Sequence, residues 1–189
     1  LHDSSVTMGA IPDSYFHLDS WIGDTNGATL GANSIPVVIQ SPRRIIANFA
    51  TNYTPLGTPE LWLGAYGLTN ESPDVAETRD TDGDTMLNWQ EYVSGTDPTK
   101  NLSVFEIMQW PPHPISTYGA LTFSSISGRL YHVWSSTDLT TQSWSPAIFA
   151  TNEAGAYTTG PVTGGLSTTT IYVDPSAVQQ HFRVTVERQ

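Results

Sequence analysis

Apolar residues recur with period two along most of this chain, and turn formers break the recurrence at short intervals. In residues 1–50 the alternating stretches are Val6 to Met8, Phe16 to Ile22, Ile35 to Ile39 and Ile45 to Phe49. Gly23-Asp24, Asn26-Gly27 and Pro42-Arg43 lie between them and supply turn chemistry, so the segment predicts a small all-β unit. The same pattern returns in residues 104–189, at Phe105 and Ile107, Leu121 and Phe123, Leu130 to Trp134, Ile171 to Val173, and Phe182, Val184 and Val186. About seven short strands with Ser, Thr, Pro and Gly between them predict an antiparallel β-sandwich.

Residues 51–103 break the alternation. Thr58-Pro59-Glu60 offers an N-cap, a proline at the first helical position and an acidic first turn. A helix from Pro59 to about Tyr66 is predicted, with Leu61, Trp62 and Ala65 on one face and Gly67 as its stop. A second short helix is predicted over Leu87 to Val93, ended by Gly95 and Pro98. The fold class expected is therefore mainly β with a small α-helical insert: β-unit, helix-loop-helix linker, antiparallel β-sandwich.

Between the two helices runs Asp80 to Glu91, DTDGDTMLNWQE. Oxygen-bearing side chains stand at positions 1, 3, 5, 9 and 12 of this stretch: Asp80, Asp82, Asp84, Asn88 and Glu91. That spacing lets a twelve-residue loop wrap a calcium ion, with the backbone carbonyl of Met86 at position 7 and both oxygens of Glu91 closing the shell. A merely solvated acidic loop would show the acidity without the spacing. One position departs from the pattern, for glycine is usual at position 6 and Thr85 stands there.

Charge and composition narrow the partners. Lys and Arg number 7 against 18 Asp and Glu, a formal net charge of -11, which disfavours nucleic acid and anionic membranes. Cations, neutral glycans and other proteins suit such a surface. There is no cysteine, so neither disulfides nor thiol chemistry is expected. No apolar run approaches the roughly 18 residues of a membrane span, so no membrane insertion is expected. The chain starts at Leu1 with no initiator Met or signal-peptide pattern, as a fragment of a secreted protein would. Millimolar calcium outside cells agrees with an extracellular or cell-surface address.

Three stretches carry resemblances to known families. HLDSWIGDTNGATLGANSIPVVIQSPRRIIANFA, through Trp21, Gly23, Asp24, Ala47, Asn48 and Phe49, resembles the bacterial extracellular repeat related to the internalin B-repeat. Such repeats open with a further strand or hairpin before the point where this sequence starts, which implies an open sheet edge. TPELWLGAYG and DTDGDTMLNWQEYVSGTDP resemble the calcium-binding segment, akin to dockerin and thrombospondin type 3 loops, of large secreted bacterial proteins. That resemblance implies Asp97, within Gly95 to Pro98, as a reserve ligand. GRLYHVWSSTDLTTQSWSP and HFRVTV resemble a β-module that follows such segments.

Enzymatic motifs do not emerge. His2, His17, His113, His132 and His181 form no zinc pair, and no nucleophile elbow or phosphate-cradling glycine loop is present. Trp21, Trp62, Trp89 and Trp134 lie inside apolar patterns and are expected as core anchors, whereas Trp110 and Trp144 are the candidates for stacking on a glycan. The function expected is a non-catalytic, calcium-stabilised accessory region that orients or tethers the other domains of a secreted protein. Two alternatives stand beside it: a carbohydrate-binding appendage of a polysaccharide-degrading enzyme, and a subunit of an extracellular filament or surface layer in which identical neighbours complete each other's sheets.

Overall fold

The computed structural model describes residues 4–29, 31–109, 119–141, 143–173 and 181–188. It is mainly β, its strand pairings are all antiparallel among the described residues, and it divides into two compact units, Leu1–Thr78 and Arg79–Gln189. The division falls inside the 51–103 segment and leaves the acidic loop in the second unit.

In the first unit β1 (Ser4–Gly9) pairs with β3 (Ser34–Ile39), and β2 (Phe16–Gly23) pairs with β4 (Ile45–Thr51) across a bulge between Leu18 and Ser20. All four strands fall where the alternation predicts them. Ile35 and Val37, two apart on β3, are buried together as strand parity requires. Gly23 closes the β2 turn at φ +95, where a side chain would also meet the Arg44 backbone.

The first helix departs from expectation in two ways. α1 spans Glu60–Ala65, with Pro59 as the N-cap residue and no side-chain capping bond. Thr58 does not cap it, because its hydroxyl donates to the buried carboxylate of Glu77. Leu63 is the buried residue of α1, while Leu61 is 45% exposed and Ala65 also faces water. A helix of six residues makes less than two turns, too little for its apolar stripe to fix its rotation. Gly67 does stop it, at φ +72, with its N–H bonded to Gly64 and that of Leu68 to Leu63 in a Schellman arrangement. A one-turn α2 (Pro73–Ala76) follows.

The second unit holds α3 (Asn88–Ser94) and eight strands: β5 (Ile107–Gln109), β6 (Gly119–Ser124), β7 (Arg129–Ser136), β8 (Ser145–Pro146), β9 (Phe149–Ala150), β10 (Val162–Thr163), β11 (Thr168–Val173) and β12 (His181–Arg188). One sheet has the order β5-β6-β11-β9; the other has β10-β7-β12, with β8 also beside β7. Both sheets feed one core. Leu121, Phe123, Ile171, Val173 and Phe149 come from the first, Tyr131 and Val133 from the second, with Phe182, Val184 and Val186 packed against them. The rings of Phe123 and Tyr131 meet at 5.3 Å between centroids.

The expected tryptophan anchors are not in that core. Trp21, Trp62, Trp89 and Trp134 are all half-buried, and the fully buried rings are Tyr131, Phe123 and Phe149. Strand parity explains Trp134: Tyr131 and Val133 take the inward positions of β7, so the indole one residue later faces outward and donates its N–H to Thr185 at 3.1 Å.

Candidate metal centre

The acidic loop begins one residue after the unit boundary and ends inside α3. Its turns are built by its own carboxylates. Asp80 accepts the N–H of Gly83 on Oδ1 (2.8 Å) and that of Thr85 on Oδ2 (3.0 Å). Asp82 Oδ1 accepts the N–H of Asp84 (3.2 Å), and Asp84 Oδ1 accepts that of Met86 (2.7 Å). The Asn88 N–H closes the loop on the carbonyl of Arg79 at 2.7 Å. Thr85 takes φ +83, a left-handed conformation that a β-branched residue adopts at a cost of roughly 1–2 kcal/mol, so position 6 has the backbone shape that usually calls for glycine.

A second set of oxygens is left over. Asp82 Oδ2, Asp84 Oδ2 and Glu91 Oε2 are buried and accept no hydrogen bond from any described residue. One ligand oxygen each from Asp80, Asp82 and Asp84 lies within 4.8 Å of the other two. Buried polar atoms almost always have a partner, and three carboxylate oxygens lacking one in a single loop is a donor set for a cation. Asn88 and Glu91, the loop's positions 9 and 12, stand on α3 and are 1% and 0% exposed, and Glu91 is near enough to feel the charges of Asp82 and Asp84.

Electrostatics agree with the geometry. Burial first, then the charges of Asp82 and Asp84, push the Glu91 carboxyl up to about 7, against a smaller opposing pull from the Thr96 hydroxyl on its other oxygen (3.3 Å). Without a counter-ion this group resists ionising at neutral pH. The residues fit a hard divalent cation: every donor is oxygen, and neither imidazole nor thiolate stands among them, which matches calcium better than zinc or copper.

Not every expected ligand is brought in. Asp97 has both oxygens engaged elsewhere: Oδ2 with Lys100 Nζ at 2.6 Å, and Oδ1 with the backbone N–H (3.1 Å) and hydroxyl (2.6 Å) of Thr99. These bonds, led by Lys100, hold its carboxyl down at about 2, and Asp97 pins its own turn instead of joining the three aspartates. Met86 is half-buried within the loop, at the position whose carbonyl the spacing assigns. Trp144 is half-buried with the Arg183 guanidinium 4.8 Å from its ring centre, and Trp110 lies outside the described residues.

Two supports escaped sequence reasoning. Glu77, in the first unit, is 1% exposed and accepts the hydroxyls of Thr54 and Thr58 and the N–H of Leu56 (3.1 Å). Its partners are about twenty residues away in sequence, so no local spacing announces it. Arg129, at the start of β7, donates to the carbonyls of Val93 (2.8 Å) and Tyr92 (2.9 Å) and covers the Tyr92 ring at 5.1 Å. It thereby satisfies the open C-terminal carbonyls of α3 with a positive charge, the sign the helix end favours, and fastens the helix that carries Asn88 and Glu91 to the sheet. Comparison of the chain with protein-family models, with curated proteins and with solved structures gives no significant match to any of them.

Proposed function

We propose that this chain is a non-catalytic, calcium-stabilised accessory region of an extracellular protein. In this reading the Asp80–Glu91 loop and the short helices around it form a calcium-binding insert between the β-unit of residues 1–50 and a β-sandwich of residues 104–189. The supporting observation is the division of labour within three of the carboxylates, those of Asp82, Asp84 and Glu91. Asp82 and Asp84 each use one oxygen to shape the loop and keep the other buried without a partner, and Glu91 repeats this with Thr96. A divalent ion would take those bare oxygens, offset the mutual repulsion and fix α3, which Arg129 already ties to the sheet. The resemblances to secreted bacterial calcium segments point the same way, as does the surplus of acidic residues.

The test is thermal unfolding with calcium and with chelator, joined to limited trypsin digestion. Calcium is expected to raise the melting temperature and to protect the bonds after Arg79 and Lys100. Asp82→Asn and Glu91→Gln should lose most of that response. Identical melting and digestion with and without the ion would overturn the proposal.

A further inference from the structure

The six residues of β1, SSVTMG, include no charge and no proline, and among the described residues β1 pairs with β3 alone, without a bulge. One bond fixes the direction of its free amides. The Ala10 N–H reaches the Asn33 carbonyl at 3.0 Å, which makes these two a hydrogen-bonded pair of the antiparallel ladder. Pairs alternate in such a ladder, so Met8, Val6 and Ser4 also turn their N–H and C=O groups toward β3. Ser5, Thr7 and Gly9 turn theirs to the opposite side, and no described residue bonds to them there.

The other long edges are guarded. On the far side of β3, the Ser34 carbonyl is taken by the Gly31 N–H at 2.8 Å, and Pro36 has no N–H to offer. β2 is interrupted by its bulge at Asp19. The Asp24–Arg44 and Asn52–Tyr15 bonds turn the amides of Ile45, Ala47, Phe49 and Thr51 away from β2, but all four except Phe49 are half-buried. In the second unit the long edge strand β12 carries Arg183, Glu187 and Arg188. By contrast Ser5, Thr7 and Gly9 are all exposed.

The inner face of β1 is also unfinished. Val6 and Met8 stand opposite Val37 and Ile35, on the same face by strand parity. Val37 and Ile35 are 2% and 0% exposed, whereas Val6 is 41% exposed. An apolar surface that is core on β3 thus runs out into water at β1.

We propose that two copies of this chain pair through β1, antiparallel about a two-fold axis, with Thr7 opposite the partner's Thr7 and Ser5 opposite the partner's Gly9. In this register all three outward-facing residues meet their counterparts, and Val6 lies against the partner's Met8 on the inner face. A second copy is the occupant because an antiparallel edge presents the same groups to itself. The uncharged edge also brings no like charges together within the pairing, although each chain carries a net charge of -11. The pairing makes no use of the acidic loop.

The chain has no cysteine, so Thr7→Cys provides a single thiol at the two-fold axis. Facing α-carbons of a hydrogen-bonded pair lie about 5.5 Å apart, within the span of a disulfide, whereas Ser5 and the partner's Ser5 would be roughly 14 Å apart. Mild oxidation of the full chain should therefore convert Thr7→Cys to a covalent dimer about tenfold or more faster than Ser5→Cys. Sedimentation of the parent should show a dimer with a dissociation constant on the order of 0.1 mM, as suits a contact below the standard interface size. Thr7→Pro should weaken it about tenfold or more with the melting temperature of the dilute chain unchanged, since that N–H has no place in the β1–β3 ladder. In the parent, amide exchange at Ser5, Thr7 and Gly9 should slow as concentration rises, with Val6 and Met8 unaffected. Chelator should leave the dimer as it is, which separates this outcome from that of the calcium test. A chain that stays monomeric at millimolar concentration, equal cross-linking of the two thiols, or a dimer indifferent to Thr7→Pro would overturn the proposal.

Discussion

Glu91 is the residue on which the acidic loop turns. In the cation-free fold its carboxyl keeps its proton to about pH 7, whereas in the unfolded chain it releases it near 4.5. The folded state therefore binds more protons across that window. Its contribution to stability is full below the lower value and is lost as pH rises through the upper one. In chelator, the melting temperature should be higher at about pH 5.5 than at about pH 7.5. Glu91→Gln should flatten that slope and raise the value at the higher pH; a parent profile as flat as that of the variant would refute this. Asp97, held down at about 2, titrates below the window and leaves it alone. Thr85→Gly should stabilise the chain by about 0.5–1 kcal/mol, the relieved left-handed strain less the added freedom of the unfolded glycine, as read by urea denaturation. At this scale the sequence was legible where spacing is local. Asp80, Asp82, Asp84, Asn88 and Glu91 share one loop, and their identities alone place them. Asp97, expected only as a reserve ligand, has its oxygens bonded to Thr99 and Lys100, two and three residues on.

Elements were legible in proportion to their length. Strands of six or more residues show their parity in sequence, and β1 to β4, β6, β7, β11 and β12 fall where alternation places them. Two-residue strands such as β8, β9 and β10 are too short to show any period. Parity also outranks size: Trp134 points outward because Tyr131 and Val133 hold the inward positions. For α3 the C-terminal end carries the signal, Gly95 just after it, while the helix starts at Asn88, one residue later than expected. Gly95 is required twice over, by φ +81 and by the Ile126 side chain that fills the space a Cβ would occupy. Gly95→Ala is expected to cost about 2 kcal/mol or more in denaturant unfolding and to weaken calcium binding with it; an unchanged midpoint would show that neither constraint operates.

At the scale of the whole molecule, the mainly antiparallel β architecture followed from the alternation, but its partition did not. The unit boundary after Thr78 depends on which residues pack together, and Glu77 closes the first unit through Thr54 and Thr58, contacts formed across more than eighteen residues of chain. The two-sheet core likewise rests on pairings such as Ser136 with His181, which periodicity cannot assign. Arg129, meanwhile, has a bearing on the order in which the second unit assembles. Seven residues are too few to hold a helix by themselves, and the carbonyls of Tyr92 and Val93 find their guanidinium only after β7 is in place. On the proposed reading the acidic loop is then expected to take its shape late on the folding route, beyond the rate-limiting barrier. Stopped-flow measurements should accordingly find refolding rates unmoved by calcium and unfolding rates slowed by it, so that the bound ion lengthens the lifetime of the native chain without hastening its formation.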